Sequence, residues 1–166
     1  MKKYILILVF FSSIGVYAQD YQNAIGIRGG ITQGITFKHF FKTSDAGDFV
    51  GAFYRGGMYV MALYERHQFD VFDVDNLAFF YGGGLHVGYF DGNSNLNWFS
   101  DPELWGAYHV VLGVDIVVGV EYTFDEIPLN ISLDIKPAVN FIGHVGYWQG
   151  GALSVRYIFG STTPSL

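Results

Sequence analysis

From residue 23 to residue 159 apolar and polar side chains alternate with a period of two, interrupted mainly at Gly, Asn and Asp. Such a period sends successive side chains to opposite faces of a strand. The pattern predicts eight strands, over 23–32, 34–42, 48–56, 58–69, 77–90, 108–124, 128–142 and 147–159. No segment carries a helical period. Several of these strands exceed the ~5–6 residues usual in globular sheets. Most reach the ~9–11 residues that a tilted, membrane-spanning strand requires.

The connections fall into two sets. With the start of the mature chain in the periplasm, the inner turns are 43–47, 70–76 and 125–127. The outer ones are 33, 57, 143–146 and the long "DGNSNLNWFSDPELWGA" at 91–107. Short inner turns with one long outer loop suit an up-and-down barrel in an outer membrane.

Each strand has a greasy face and a face of small and charged residues. Val110, Leu112, Val114, Ile116, Val118 and Val120 share one side of strand six, opposite Gly113, Asp115, Gly119 and Glu121. Assembled over all strands, the second face holds five cations, Arg28, Lys38, Arg55, Lys136 and Arg156, and four anions, Glu65, Asp115, Glu121 and Asp134. Near-matched signs fit an enclosed lumen, because a buried charge without a partner costs several kcal/mol. Phe53, Phe80 and His86 are read as projecting inward with them. On the greasy face, Phe41, Phe79, Tyr81, Tyr122, Phe124, Tyr157 and Phe159 gather toward the periplasmic end. Tyr54, Tyr89, Tyr108 and Phe141 gather toward the outer end. Two aromatic belts around an aliphatic band are what lipid interfaces select.

Composition sharpens this picture. The chain is 51% hydrophobic and 19% aromatic, with 14% charged residues against a typical share of roughly 25%. After the N-terminus no apolar run approaches the ~20 residues of a spanning helix, so the hydrophobics must be used by strands. Residues 1–18, with Lys2, Lys3 and an apolar block from Tyr4 to Phe11, are expected to be a secretory signal peptide, leaving 19–166 as the barrel domain. Its removal takes the formal charge from −6 to −8, which disfavours nucleic acid as a partner. The absence of cysteine excludes a disulfide framework and a Cys-linked lipid anchor.

The signal peptide, the eight alternating segments, the hairpin "GVEYTFDEIPLNISLDIKP" at 119–137 and the aromatic-ended "LSVRYIF" at 153–159 resemble the small eight-stranded outer-membrane barrels of Gram-negative bacteria, the OmpA/OmpX-like architecture. That resemblance implies an all-β, antiparallel, transmembrane up-and-down barrel, integral to the cell outer membrane and surrounded by its lipid. It also implies handling by the barrel-assembly machinery.

Chemistry is harder to find. Histidines occur at 39, 67, 86, 109 and 144, none with a serine beside it. Neither a nucleophile–base pair nor a metal-ligand spacing emerges, and no cofactor motif is present. A lumen of eight strands is just wide enough to be filled by its own side chains. The expected role is therefore structural or interactive, stabilising the envelope or presenting Trp98, Phe99 and Trp105 of loop 91–107 to an extracellular partner. The same three rings would also suit an extra belt against the outer leaflet. A narrow ion or small-solute channel, a lipid A-modifying barrel enzyme and a soluble secreted sandwich or lipocalin-like barrel stay open as alternatives.

Overall fold

A computed structural model describes residues 21–54, 57–69, 71, 74–90, 109–142 and 146–161. They form eight strands: β1 (Tyr21–Gly30), β2 (Gln33–Phe40), β3 (Asp45–Tyr54), β4 (Gly57–Phe69), β5 (Leu77–Phe90), β6 (His109–Thr123), β7 (Leu129–Ile142) and β8 (Gly146–Ser161). Each strand pairs antiparallel with the next, and β8 returns to β1 over a ladder from Tyr21↔Ser161 to Gly30↔Ala152. The sheet is one closed up-and-down barrel and not a sandwich. Closure leaves no sheet edge with unpaired backbone groups.

Alternation is strictest in β4. Tyr59, Met61, Leu63, Glu65 and His67 are buried while Met58, Val60, Ala62, Tyr64 and Arg66 are exposed. Strand β3 corrects the sequence reading. The turn 41–44 is tighter than expected, with Phe41 N bonded to Asp45 O at 2.9 Å, and β3 starts at Asp45 instead of residue 48. Lys38 then pairs in register with Asp48, so Ala46, Asp48, Val50 and Ala52 turn inward. Phe53, expected inside, is 60% exposed on the outer wall. Its ring would crowd a lumen that Ala52 suits better.

On the β3–β6 wall of the lumen Val50, Ala52, Tyr59, Met61, Leu63, Phe80, Val111 and Val117 pack as one apolar cluster, among the buried Asp48, Glu65, His67, His86, Asp115 and Glu121. The wall made by β7, β8, β1 and β2 is polar, with Asn130, Ser132, Asp134, Lys136, Ser154, Arg156, Arg28, Thr36 and Lys38 all buried. A second apolar cluster, Tyr21, Ala24, Phe40, Ala46 and Ile158, lies at the end of the barrel where β1 begins and β8 ends.

Two glycines let large rings lie across the inner wall. Phe80 stands opposite Gly119, where an added Cβ would come within 2.5 Å of the Phe80 Cζ. His86 stands opposite Gly113, where an added Cβ would come within 2.7 Å of the His86 Nε2. In each case the ring occupies the space a side chain on the next strand would have used.

Candidate functional site in the barrel lumen

Lys38 is the hub of the polar cluster nearest the end that carries Tyr21 and Ser161. It reaches inward from β2, and Thr36 and Phe40 flank it on the same face. Its Nζ donates to Glu121 Oε2 at 2.6 Å and lies 2.8 Å from Glu65 Oε2. The second contact is short but badly angled for a hydrogen bond, so its attraction is Coulombic. The ammonium also sits 4.6 Å from the centre of the Phe80 ring, a cation–π contact. His67 Nε2 is 3.4 Å from the same Nζ, and the His67 ring stacks on Phe80.

Arg156 joins this hub to β3 and β7. Its Nη2 donates to Asp48 Oδ2 at 3.1 Å, its Nη1 to Ser132 Oγ at 2.7 Å and its Nε to Thr36 Oγ1 at 3.2 Å. Nη1 is also 3.6 Å from Glu121 Oε2. Thr36 in turn donates to Asp48, and Tyr21 donates to Glu121 Oε1 at 2.6 Å. Hydrogen bonds and ion pairs of this network thereby tie seven strands, all but β5, across the lumen. With water excluded, such contacts are stronger than on a surface, and losing one partner is correspondingly costly.

Two further groups lie toward the opposite end. Arg28 makes a two-pronged pair with Asp134, Nη1 to Oδ2 at 2.7 Å and Nη2 to Oδ1 at 2.5 Å, while its Nε donates to Thr32. The parallel fork geometry holds β1 against β7 across β8. His86 on β5 bridges β6 and β7, with Nδ1 2.8 Å from Asp115 Oδ2 and Nε2 2.8 Å from Asn140 Oδ1. The Tyr59 ring meets His86 edge-on at 5.6 Å.

The nine expected lumen residues are placed as follows. Arg28, Lys38, Glu65, Asp115, Glu121, Asp134, Lys136 and Arg156 are all buried inside the barrel. Arg55 lies outside the described residues, as do Trp98, Phe99 and Trp105 of loop 91–107. Asp48 was missed by the sequence reading, which gave β3 the opposite parity. His67, in the sequence only one of five histidines, is a member of the hub. The signal for Asp48 was present in the sequence: a short turn between β2 and β3 makes Lys38 and an acid ten residues later face each other. With Asp48 included, the described lumen holds four cations and five carboxylates.

The arrangement is well built for holding a wall in register. Ser132 Oγ is taken by Arg156, and no serine lies in hydrogen-bond contact with His86 or His67 in the described lumen. Among the described residues no group of three or more His, Asp or Glu side chains is placed to hold a metal ion. No family model, no curated protein and no solved structure matches the chain.

Proposed function

We infer that this chain is an integral outer-membrane barrel whose sealed, ion-paired interior makes it a structural or surface-presenting element of the envelope. The observation that carries the reading is the inversion of its two faces. Arg156, Lys38, Lys136 and Glu65 are among the most completely buried side chains of the barrel. Ile27, Ile35, Val60, Leu85, Ile116, Leu133, Ile135 and Leu153 stand exposed around its outside. In water such an exterior would be a continuous apolar patch far beyond what soluble monomers tolerate. In lipid it is the favourable surface, and the closed ladder, interrupted between β6 and β7 beside Pro137, pairs the backbone as hydrocarbon demands.

The exposed rings support the same assignment. Phe41, Phe69, Tyr81, Tyr122, Tyr157 and Phe159 lie toward the end with Tyr21 and Ser161, and Phe53, Tyr89 and Phe141 toward the other. Phe49 and Tyr64 fall between them, so the separation into belts is incomplete. The size, strand count and topology suit the small eight-stranded outer-membrane barrels. Arg156, Phe80 and Met61 fill the bore with bulk as well as charge, which favours a wall-holding role over conduction. Loop 91–107 is then the segment offered to a partner.

The chain has no cysteine, so single-cysteine variants at Leu133 and Asp134 can each carry one label without a competing site. After refolding in vesicles, a fluorophore at Leu133 is expected to be quenched by brominated acyl chains, and one at Asp134 is not. A Leu133 label that meets bulk water, with the chain left in the aqueous fraction, would overturn the membrane assignment.

A further inference from the structure

Only two cations stand on the outside of the described barrel, and they stand together. Lys42, in the β2–β3 turn, and Arg66, on β4, have side chains 78% and 54% exposed, whereas Arg28, Lys38, Lys136 and Arg156 are buried. Both lean on one carboxylate, Asp45, at 3.9 and 3.6 Å. Those two distances are ionic contacts, and the Tyr64 hydroxyl hydrogen-bonds both Asp45 and Arg66, which still leaves N–H donors of both cations for a ligand. One acid against two cations leaves the spot with a net positive charge.

The surroundings of Arg66 are specific. In register it lies between Asp45 on β3 and Tyr81 on β5. In the next row of the same face Tyr64 stands beside Gly83. Above Gly83 the outer wall has no side chain, leaving a furrow bordered by the exposed rings of Tyr64 and Tyr81. A fork of N–H donors thus sits at the head of a greasy furrow running along the strands. Elsewhere at this end the exposed charges among the described residues are acidic, Asp75, Asp125 and Glu126. An anion approaching this rim is repelled by the β5 and β6–β7 sectors and drawn to β2–β4.

Resting on the membrane assignment above, we propose that Lys42 and Arg66 form a docking site for an anionic glycerophospholipid of the leaflet surrounding this rim. The phosphodiester binds Arg66 through two N–H donors, with Lys42 as a second positive charge. An acyl chain lies over Gly83 between Tyr64 and Tyr81. Asp45 keeps both cations positioned and competes with the phosphate, so the site holds its lipid reversibly.

Native mass spectrometry of the refolded chain, given equal amounts of phosphatidylglycerol and phosphatidylcholine, tests this. An exposed cation near a lipid surface contributes about 1 kcal/mol, so roughly fivefold more phosphatidylglycerol should remain bound. The K42Q/R66Q double variant should lose that preference, and D45N should strengthen it. All three positions lie on the outer wall, and heat-modifiable gel mobility shows that each variant still forms the barrel. Equal retention of the two lipids, or a preference unchanged in the double variant, would overturn the site while leaving the barrel assignment standing. A chain that never gains heat-modifiable mobility in any lipid would overturn both.

Discussion

Lys136 crosses the lumen from β7 and ends 2.8 Å from the Met61 sulfur on β4, without an ion pair to any carboxylate among the described residues. A thioether is a weak acceptor, so this ammonium is buried on far poorer terms than its three counterparts. Its methylene stem packs across the bore, and that packing is the part worth keeping. Lys136→Met retains the stem and removes the charge. Replacing a buried charge with an apolar group of similar shape is often neutral or stabilising by about 1–4 kcal/mol. The variant should therefore unfold from micelles at an equal or higher urea concentration. A loss of more than about 1 kcal/mol would mean that Lys136 is held by charges beyond its contact distance.

Lys38 gives the opposite result by the same logic. Lys38→Met leaves Glu65 and Glu121 buried with their shared cation gone, and Phe80 without its cation–π partner. Breaking a buried pair by removing one member costs about 3–5 kcal/mol. The expected outcome is a large drop in the temperature at which the folded band disappears on unboiled gels. Adding Glu121→Gln should restore part of it, because one of the two carboxylates that lost the ammonium is then neutral. Wild-type stability in the single variant would show that the hub does not hold the wall.

The contrast between these lysines was not legible in the sequence. Alternation fixes which residues share a face and, with turn lengths, roughly where strands end. β5 was bounded at 77–90 from the pattern alone, and β7 and β8 within three residues. Partner choice across the bore is a different matter. It depends on barrel closure and on which strands end up opposite, so Arg28 finds Asp134 and Lys136 finds Met61 at separations the period does not encode. The error in β3 has a local cause. In "DAGDFVGAFYRG", residues 45–56, both parities mix small, charged and aromatic residues, and only the register with β2 separates them. The glycines on the small and charged face carry a further clue. Gly113 and Gly119 are the spaces that His86 and Phe80 enter.

Gly113→Ala tests that fit. Its Cβ would meet both the His86 ring and the Val139 carbonyl oxygen, and a backbone oxygen cannot swing aside. His86 must then leave Asn140 or β6 must shift from β7. Overpacking of this kind costs about 1–3 kcal/mol. Gly29→Ala is the control, since nothing lies within 4 Å of its added Cβ. The imidazole resonances of His86 should move in the first variant and stay in place in the second. Equal stability for both would show that the ring does not need the gap.

Pro137 marks a weak point in the wall. The β6–β7 ladder runs through Asp115↔Ala138 and resumes at Val118↔Ile135, and the two pairs between them, Ile116 with Pro137 and Val117 with Lys136, are missing. On the other side Pro137 still pairs with Gln149 of β8. Proline has no N–H, and in an antiparallel strand a residue's N–H and C=O point to the same neighbour. The interruption toward β6 therefore leaves a carbonyl of β6 without its ladder donor, at a depth where the proposed surroundings are hydrocarbon. Pro137→Thr supplies the donor. The gain is the cost of an unsatisfied group, about 1–3 kcal/mol, less about 0.4–1 kcal/mol because the unfolded chain becomes more flexible. A net stabilisation is expected, and with it an amide at position 137 as slow in hydrogen exchange as those expected at its ladder neighbours Ile135 and Val139. Rapid exchange at 137 would mean that β6 and β7 are parted there for a reason other than the missing donor.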